Sequence, residues 1–195
     1  MYCLIISIVA LLSMFWDVGY FLRAFVVVYF GRLFQKKYNI DETTVLYGIC
    51  TTRDVDFFFS HMNNARYLRV LDFSRIHFYD RTGLYAKLVA AKGAALMGAS
   101  TIRYRRPLDI FSLYKIETKM LCWDEKTIFL EHKFITLKDN FVRAIVLSRT
   151  HIVGLDLPKA MADVTGADKM KTFPEEVVQW QQCLETASAR LRKKD

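Results

Sequence analysis

One stretch of the chain leaves little choice of architecture. From Asn64 to about Tyr79 the apolar residues recur at helical spacing, with Tyr67, Val70, Leu71, Ser74 and Phe78 on one stripe and Leu68 and Phe73 widening it. A helix apolar over so much of its circumference has to be covered on most sides. The residues after it supply the cover. Phe111–Cys122 has period two: Tyr114, Ile116, Thr118 and Met120 alternate with Lys115, Glu117 and Lys119, the pattern of a half-solvated antiparallel strand. Thr127–Leu137 and Phe141–Val153 read as two more strands, joined by turns at Trp123–Lys126 and Lys138–Asn140. Val45–Arg53 suits a first strand, and Ala99–Tyr104, after Gly93 and Gly98, suits another whose glycines mark bends or close approach. Leu84–Val89 reads either as a short helix or as the lead into that strand. A long helix succeeded by strands joined through tight turns makes an α+β meander and not a βαβ array.

The residues before the helix are equally specific. Asp54-Val55-Asp56 is followed by Phe57-Phe58-Phe59-Ser60, then by His61-Met62-Asn63-Asn64 opening the helix, with Tyr67, Asp72 and Arg75 further along it. This order resembles the signature of the hotdog-fold thioesterases of the 4-hydroxybenzoyl-CoA type. There an Asp-x-Asp strand end, a Gly-His-(Val/Met)-Asn-Asn loop and a Tyr-Leu-x-x-x-(Glu/Asp)-x-x-Arg helix come one after another. Within that family the chain is similar to a small membrane-anchored group, thioesterase superfamily member six. The resemblance covers roughly residues 43–155 and includes a later Tyr-Arg-x-Pro-Leu-like segment. It implies a hotdog fold, an antiparallel sheet of five to six strands wrapped around a helix from about Met62 to Tyr79, and pairing into a homodimer with sites between subunits.

The same resemblance implies thioester hydrolysis. A backbone N–H at the start of the central helix, helped by the helix dipole, polarises the carbonyl, and a carboxylate of the loop attacks or orients water. Carried over residue by residue, the catalytic set is Asp56, His61 and Asn64, with Asp72 on the helix as a second candidate base. Phe58, Phe59, Asn63 and Tyr67 become candidate substrate contacts. Arg103, Arg105 and Arg106 are candidates for the CoA phosphates, since guanidinium suits bidentate phosphate recognition. The match is uneven. The family's Asp lies four residues before the His, where this chain has Phe57; Asp56 lies five before it, and Ser60 stands where the family has Gly. Either the loop carries one extra residue and Asp56 still reaches the site, or the carboxylate is lost and the domain is a catalytically silent module that binds acyl chains, lipid or a protein. Other readings compete for each group: a capping pair for Asp54 and Asp56, a loop hydrogen bond for His61, an i, i+3 ion pair for Asp72 and Arg75, and a basic edge that discourages sheet aggregation for the arginines.

Residues 1–16 are almost wholly apolar; Asp17 interrupts, and the apolar run resumes to Phe30 with Arg23 inside it. No basic residue precedes the run and no small-residue cleavage site comes after it, so an uncleaved anchor is preferred to a cleaved signal of a secreted protein. Residues 1–22 are expected to span a membrane, and Arg23–Lys37 to lie on it as an amphipathic helix. The basic residues after the run put the body on the cytosolic side, and the related group suggests the endoplasmic reticulum. The expected organisation is therefore an anchor and juxtamembrane helix at 1–37, the hotdog domain at 38–155, and a connector and helix at 156–195.

The net charge of +8 suits an anionic membrane or CoA phosphates. The Lys and Arg residues are too scattered for nucleic acid. Neither the cysteines nor the histidines have metal spacing, and no Gly-rich phosphate loop or Gly-x-Ser-x-Gly elbow occurs, so no metal, cofactor or serine-hydrolase chemistry is expected. The partners implied are an acyl-CoA or other acyl thioester, a membrane and a second copy of the chain.

Overall fold

A computed structural model describes residues 17–192. Its elements are α1 (Val18–Phe34), β1 (Thr44–Ile49), α2 (Asn64–Arg81), α3 (Leu84–Ala90), β2 (Ala94–Tyr104), β3 (Leu113–Trp123), β4 (Thr127–Thr136), β5 (Val142–Val153), α4 (Leu157–Ala162), a 3-10 turn (Ala167–Met170) and α5 (Glu175–Arg192). The five strands form one antiparallel sheet in the order β1-β3-β4-β5-β2.

The helix stripe is the core. Tyr67, Val70, Leu71, Phe73, Ser74 and Phe78 are all buried, packed against Tyr114, Ile116, Met120, Phe134 and Val146 of the sheet. Leu68 stays exposed. Such burial stabilises by roughly 1.5–3 kcal/mol for each large side chain. Within this apolar layer runs a polar file: Ser74 Oγ and Thr118 Oγ1 lie 2.6 Å apart, His132 Nδ1 is 3.0 Å from Thr118 Oγ1, and His132 Nε2 is 3.0 Å from Ser148 Oγ. Each buried polar group there has a partner, which removes most of the cost of placing it in the core.

β3 alternates as expected, with Tyr114, Ile116, Thr118 and Met120 buried and the charged residues between them facing out. β1 stops at Ile49, short of Arg53, because Thr51–Asp54 closes a turn: the Asp54 N–H donates to the Thr51 carbonyl at 2.9 Å, and Asp54 Oδ2 accepts from the Thr51 N–H and hydroxyl. Leu84–Ala90 is helix, beginning after Gly83 at φ 80°. At Gly98 the β2–β5 register slips by a residue, and a Cβ there would lie 2.7 Å from the His151 ring, so the strand bends where glycine permits it. The connector after β5 contains the short helix α4, capped by Asp156 with Pro158 in its first turn. α5 is anchored by Val177 and Trp180, which with Phe173 pack on Cys122 and Phe129.

The N-terminal region differs from expectation in one boundary. The helix runs from Val18 through Arg23 to Phe34 without interruption, starting at Asp17, whose carboxylate accepts from the Tyr20 N–H at 3.0 Å. It lies parallel to α2 and is bonded along it: Arg69 to Asp17, Tyr20 to Asp72, Arg32 to Asp80, and Arg81 to the carbonyls of Gly31 and Gln35. Its other face leaves Phe21, Leu22, Phe25, Tyr29 and Leu33 exposed. Among the described residues no helix is long and apolar enough to cross a membrane. Residues 1–16, most of the expected span, lie outside the described residues.

Candidate active site

The segment between β1 and α2 folds into a small knot at the mouth of α2. Met62 bridges Val55 and donates its N–H to the Leu108 carbonyl at 2.8 Å, and the Asn63 N–H donates to the Asp54 carbonyl at 2.8 Å. Asp54 is buried and takes the Arg66 guanidinium at 2.9 Å. It therefore ties the loop to the first turn of α2 and belongs to the scaffold. Asn63 is the N-cap, its side chain accepting from the Ala65 N–H at 2.9 Å and its carbonyl from the Arg66 N–H at 2.9 Å. Among the described residues the Asn64 N–H, at the positive end of the helix, is a first-turn donor with no acceptor. The Asn64 carbonyl accepts from the Tyr104 hydroxyl at 2.9 Å.

Asp56 stays close to His61 despite the extra residue. The Asp56 N–H donates to the His61 carbonyl at 3.0 Å, and the Phe59 N–H to the Asp56 carbonyl at 3.1 Å. This closes a turn, with Phe59 at φ 55°, that pushes Phe57 and Phe58 outward and folds the carboxylate back. Asp56 Oδ1 accepts from the Ser60 N–H at 3.1 Å, Oδ2 lies 3.7 Å from His61 Nδ1, and Ser60 Oγ is 2.6 Å from the same nitrogen. Burial works to raise the Asp56 carboxyl, but hydrogen bonds from the Ser60 and His61 backbone and the nearby imidazole outweigh it and hold the group below the usual carboxylate range. Asp56 is therefore ionised at neutral pH, the form a base or nucleophile needs. Ser60 is a site residue that the sequence pattern did not single out. Its one signal is a hydroxyl at the family's glycine position next to the histidine.

The other candidates are dispersed. Phe57, Phe58 and Phe59 are 88%, 81% and 64% exposed at the loop tip. Tyr67 is a core residue, its ring edge-on to Phe134 and Tyr104 with centroids 4.9 and 5.3 Å away. Asp72 lies nine positions after the cap, about 13 Å along α2 at 1.5 Å per residue. It pairs with Arg75, accepts from the Tyr20 hydroxyl at 3.0 Å, and lines a cavity with Arg75 and Tyr79. The i, i+3 ion pair of Asp72 with Arg75 is therefore present, and the cavity it lines contains neither Asp56 nor His61. Arg103 is exposed on β2. Arg105 and Arg106 stand over the Phe141 ring at 4.8 and 4.4 Å, and Arg143 joins them at 5.4 Å. The sequence reading had two of these three guanidiniums; the third, Arg143, is also paired with Asp139 at 2.6 Å.

A sheet wrapped on one central helix, with a carboxylate and a histidine at that helix's N-terminus, defines a hotdog domain of the thioesterase kind. Residues 50–181 match the Thioesterase-like superfamily. The chain belongs to that superfamily. It is 46% identical over 186 residues to Protein THEM6 of Drosophila melanogaster, covering 95% of this chain and 96% of the relative. To Protein THEM6 of Xenopus laevis it is 35% identical over 188 residues, covering 96% and 90%. Among solved structures, YbaW, a probable thioesterase of Escherichia coli, superposes with a TM-score of 0.53 at 22% identity, over 58% of this chain and 84% of that one. The hypothetical protein SAV2348 of Staphylococcus aureus, solved in complex with CoA, gives 0.56 at 13% identity, over 73% and 96%. The superfamily match runs past residue 155 and ends at residue 181, in the first turns of α5.

Proposed function

We propose that this chain is a thioesterase-like hydrolase of fatty acyl-CoA that works at a membrane surface as a homodimer. The observation that carries the reading is the contact of an ionised Asp56 with Ser60 and His61 beside the free Asn64 N–H. In the reaction, Asp56 takes a proton from water as the water attacks the thioester carbonyl carbon. The Asn64 N–H and the helix dipole hold the oxyanion. The carbon–sulfur bond then breaks, and the CoA thiolate leaves as the fatty acid forms. In this reading His61, held by Ser60 and Asp56, passes a proton on. Arg105, Arg106 and Arg143 are the candidate seat for the CoA phosphates.

The exposed apolar face of α1, and the apolar residues before it with basic ones beyond, favour a membrane whose cytosolic face carries the domain. The endoplasmic reticulum is the compartment that the resemblance suggests. Pairing is supported by β2, an edge strand with Leu96, Met97 and Tyr104 exposed along it.

A second reading is favoured by the three phenylalanines at the loop tip: a silent hotdog domain that binds acyl chains or a protein without hydrolysis. The test is release of thiol from acyl-CoA esters of short to long chain, with the full chain in neutral detergent. Asp56→Asn is expected to lower turnover at least a hundredfold, and Asp72→Asn to leave most of it. Turnover unchanged in Asp56→Asn overturns the assignment. Tight acyl-CoA binding with no turnover at any chain length establishes the silent module.

A further inference from the structure

Where α1 begins, it does not close completely on the body. A groove enclosing about 800 Å³ remains between its first turns, the turn at residues 51–54 and the outer side of α2. Four guanidiniums line it, those of Arg23, Arg53, Arg66 and Arg69, against the carboxylates of Asp17 and Asp54. Two of the four are neutralised: Arg66 by Asp54 at 2.9 Å and Arg69 by Asp17 at 3.0 Å. Among the described residues Arg23 and Arg53 pair with no carboxylate. Arg23 lies over the Phe73 ring, 4.6 Å from its centroid. Arg53 lies so close to Gly19 that a Cβ there would be 2.5 Å from its Nη1, so α1 carries no side chain where this guanidinium enters the groove. Two uncompensated cations thus share one partly enclosed space.

The groove does not end in water on every side. Val18 forms part of its wall, and beyond Val18 lies the exposed apolar face of α1 with Phe21, Leu22 and Phe25. A ligand for this place needs a compact, multiply charged anion joined to hydrocarbon. A phosphate monoester carries about −1.5 to −2 charges near neutral pH and has acceptor oxygens spaced for guanidinium forks. We propose that the groove seats the phosphate of an anionic membrane phospholipid of the phosphatidic acid type. Arg23 and Arg53 hold the headgroup, and the acyl chains lie along Val18, Phe21 and Leu22. Soluble phosphate esters share the headgroup chemistry but have nothing to place on that apolar wall. A zwitterionic headgroup brings its own cation into a space that already holds two in excess.

The test uses the full chain in neutral maltoside micelles and titrates it calorimetrically with dihexanoyl phosphatidic acid, dihexanoyl phosphatidylcholine and inorganic phosphate. The phosphatidic acid analogue is expected to bind at least tenfold tighter than either of the others. Arg53→Gln and Arg23→Gln are each expected to weaken it about tenfold, the loss of one charge-assisted pair. Arg190→Gln, on α5, is expected to leave it unchanged. Should Arg23→Gln fail to fold, Arg53→Gln, exposed and outside any helix, decides the matter. Wild-type affinity in Arg53→Gln overturns the site. Inorganic phosphate binding as tightly as the lipid analogue overturns the phospholipid and makes the groove a seat for soluble anions. Turnover is not read, so the result stands apart from the hydrolase reading.

Discussion

Arg81, the last residue of α2, donates to the backbone carbonyl of Gly31, in the last turn of α1, at 2.7 Å. The same nitrogen reaches the Gln35 carbonyl at 3.1 Å, and the other terminal nitrogen the Asp80 carboxylate at 2.8 Å. A buried cation thus takes up the Gln35 carbonyl and adds a second donor to the Gly31 carbonyl, which already accepts from the Gln35 N–H at 3.1 Å. Arg81→Met is expected to cost about 3 kcal/mol, since it removes the donor to the Gln35 carbonyl and breaks a buried ion pair. Arg32→Gln, at the exposed side of the same Asp80, is expected to cost less than about 1 kcal/mol. Urea unfolding of both variants checks the difference, and faster amide exchange at residues 31–35 in the first locates it.

Acid should loosen the fold through two histidines. Burial pushes His132 down to about 3, with Arg75 adding to the effect, and His77 down to about 4, with Arg81 adding to it. The unfolded chain protonates these rings near 6.5, while the folded chain keeps them neutral well below that. The unfolded state therefore binds more protons below pH 6.5, and stability is full above that value and falls as pH drops through the window towards 4. Each ring contributes a slope of up to about 1.4 kcal/mol per pH unit. Denaturant unfolding of His132→Gln between pH 7 and pH 4.5 should give a shallower line than wild type, from a lower starting stability. Parallel lines would place the acid sensitivity elsewhere.

Gly48 on β1 faces Tyr114 on β3, and a Cβ at Gly48 would lie 2.7 Å from the Tyr114 ring. Tyr114 is fully buried and cannot retreat without disturbing Phe134, whose ring centroid is 6.0 Å away. Gly48→Ala is therefore expected to destabilise by about 1–3 kcal/mol through overpacking. A fall in Tm of several degrees would show it. Pairing it with Tyr114→Phe, which leaves the offending ring in place, should recover little.

The thiols offer a reading of native packing. Burial pushes Cys50 up to about 11 and Cys122 up to about 12, while Cys183 is exposed on α5. Since thiolate is the reactive form, iodoacetamide at neutral pH is expected to modify Cys183 quickly and to leave Cys50 and Cys122 until the chain unfolds. Peptide mass spectrometry before and after denaturant distinguishes the three.

Local pattern carried much of this fold. The spacing of Tyr67, Val70, Leu71, Ser74 and Phe78 is a property of one segment, and so is the alternation of β3, so both could be read without knowing what they touch. The loop was half legible. Its order of residues pointed to the family, but whether Asp56 could reach His61 depended on a backbone turn with Phe59 at positive φ, which no side-chain pattern encodes. The docking of α1 on α2 was not legible at all. It rests on Asp17 with Arg69, Tyr20 with Asp72 and Arg32 with Asp80, pairs about fifty residues apart. Ordinary surface charge would have looked the same. Hydropathy marks what α1 exposes, whereas the polar residues that bind it to the body carry no local signal.

The parallel seam between α1 and α2 also decides how the domain can face whatever holds α1. A domain hung on a flexible tether explores a cone of directions and finds its substrate by tumbling. This one is fastened from Asp17 to Gln35 along the helix that forms its own axis. Tilt and heading pass rigidly from α1 to the sheet, and the loop at residues 54–62 keeps one bearing, as a hull does on its keel.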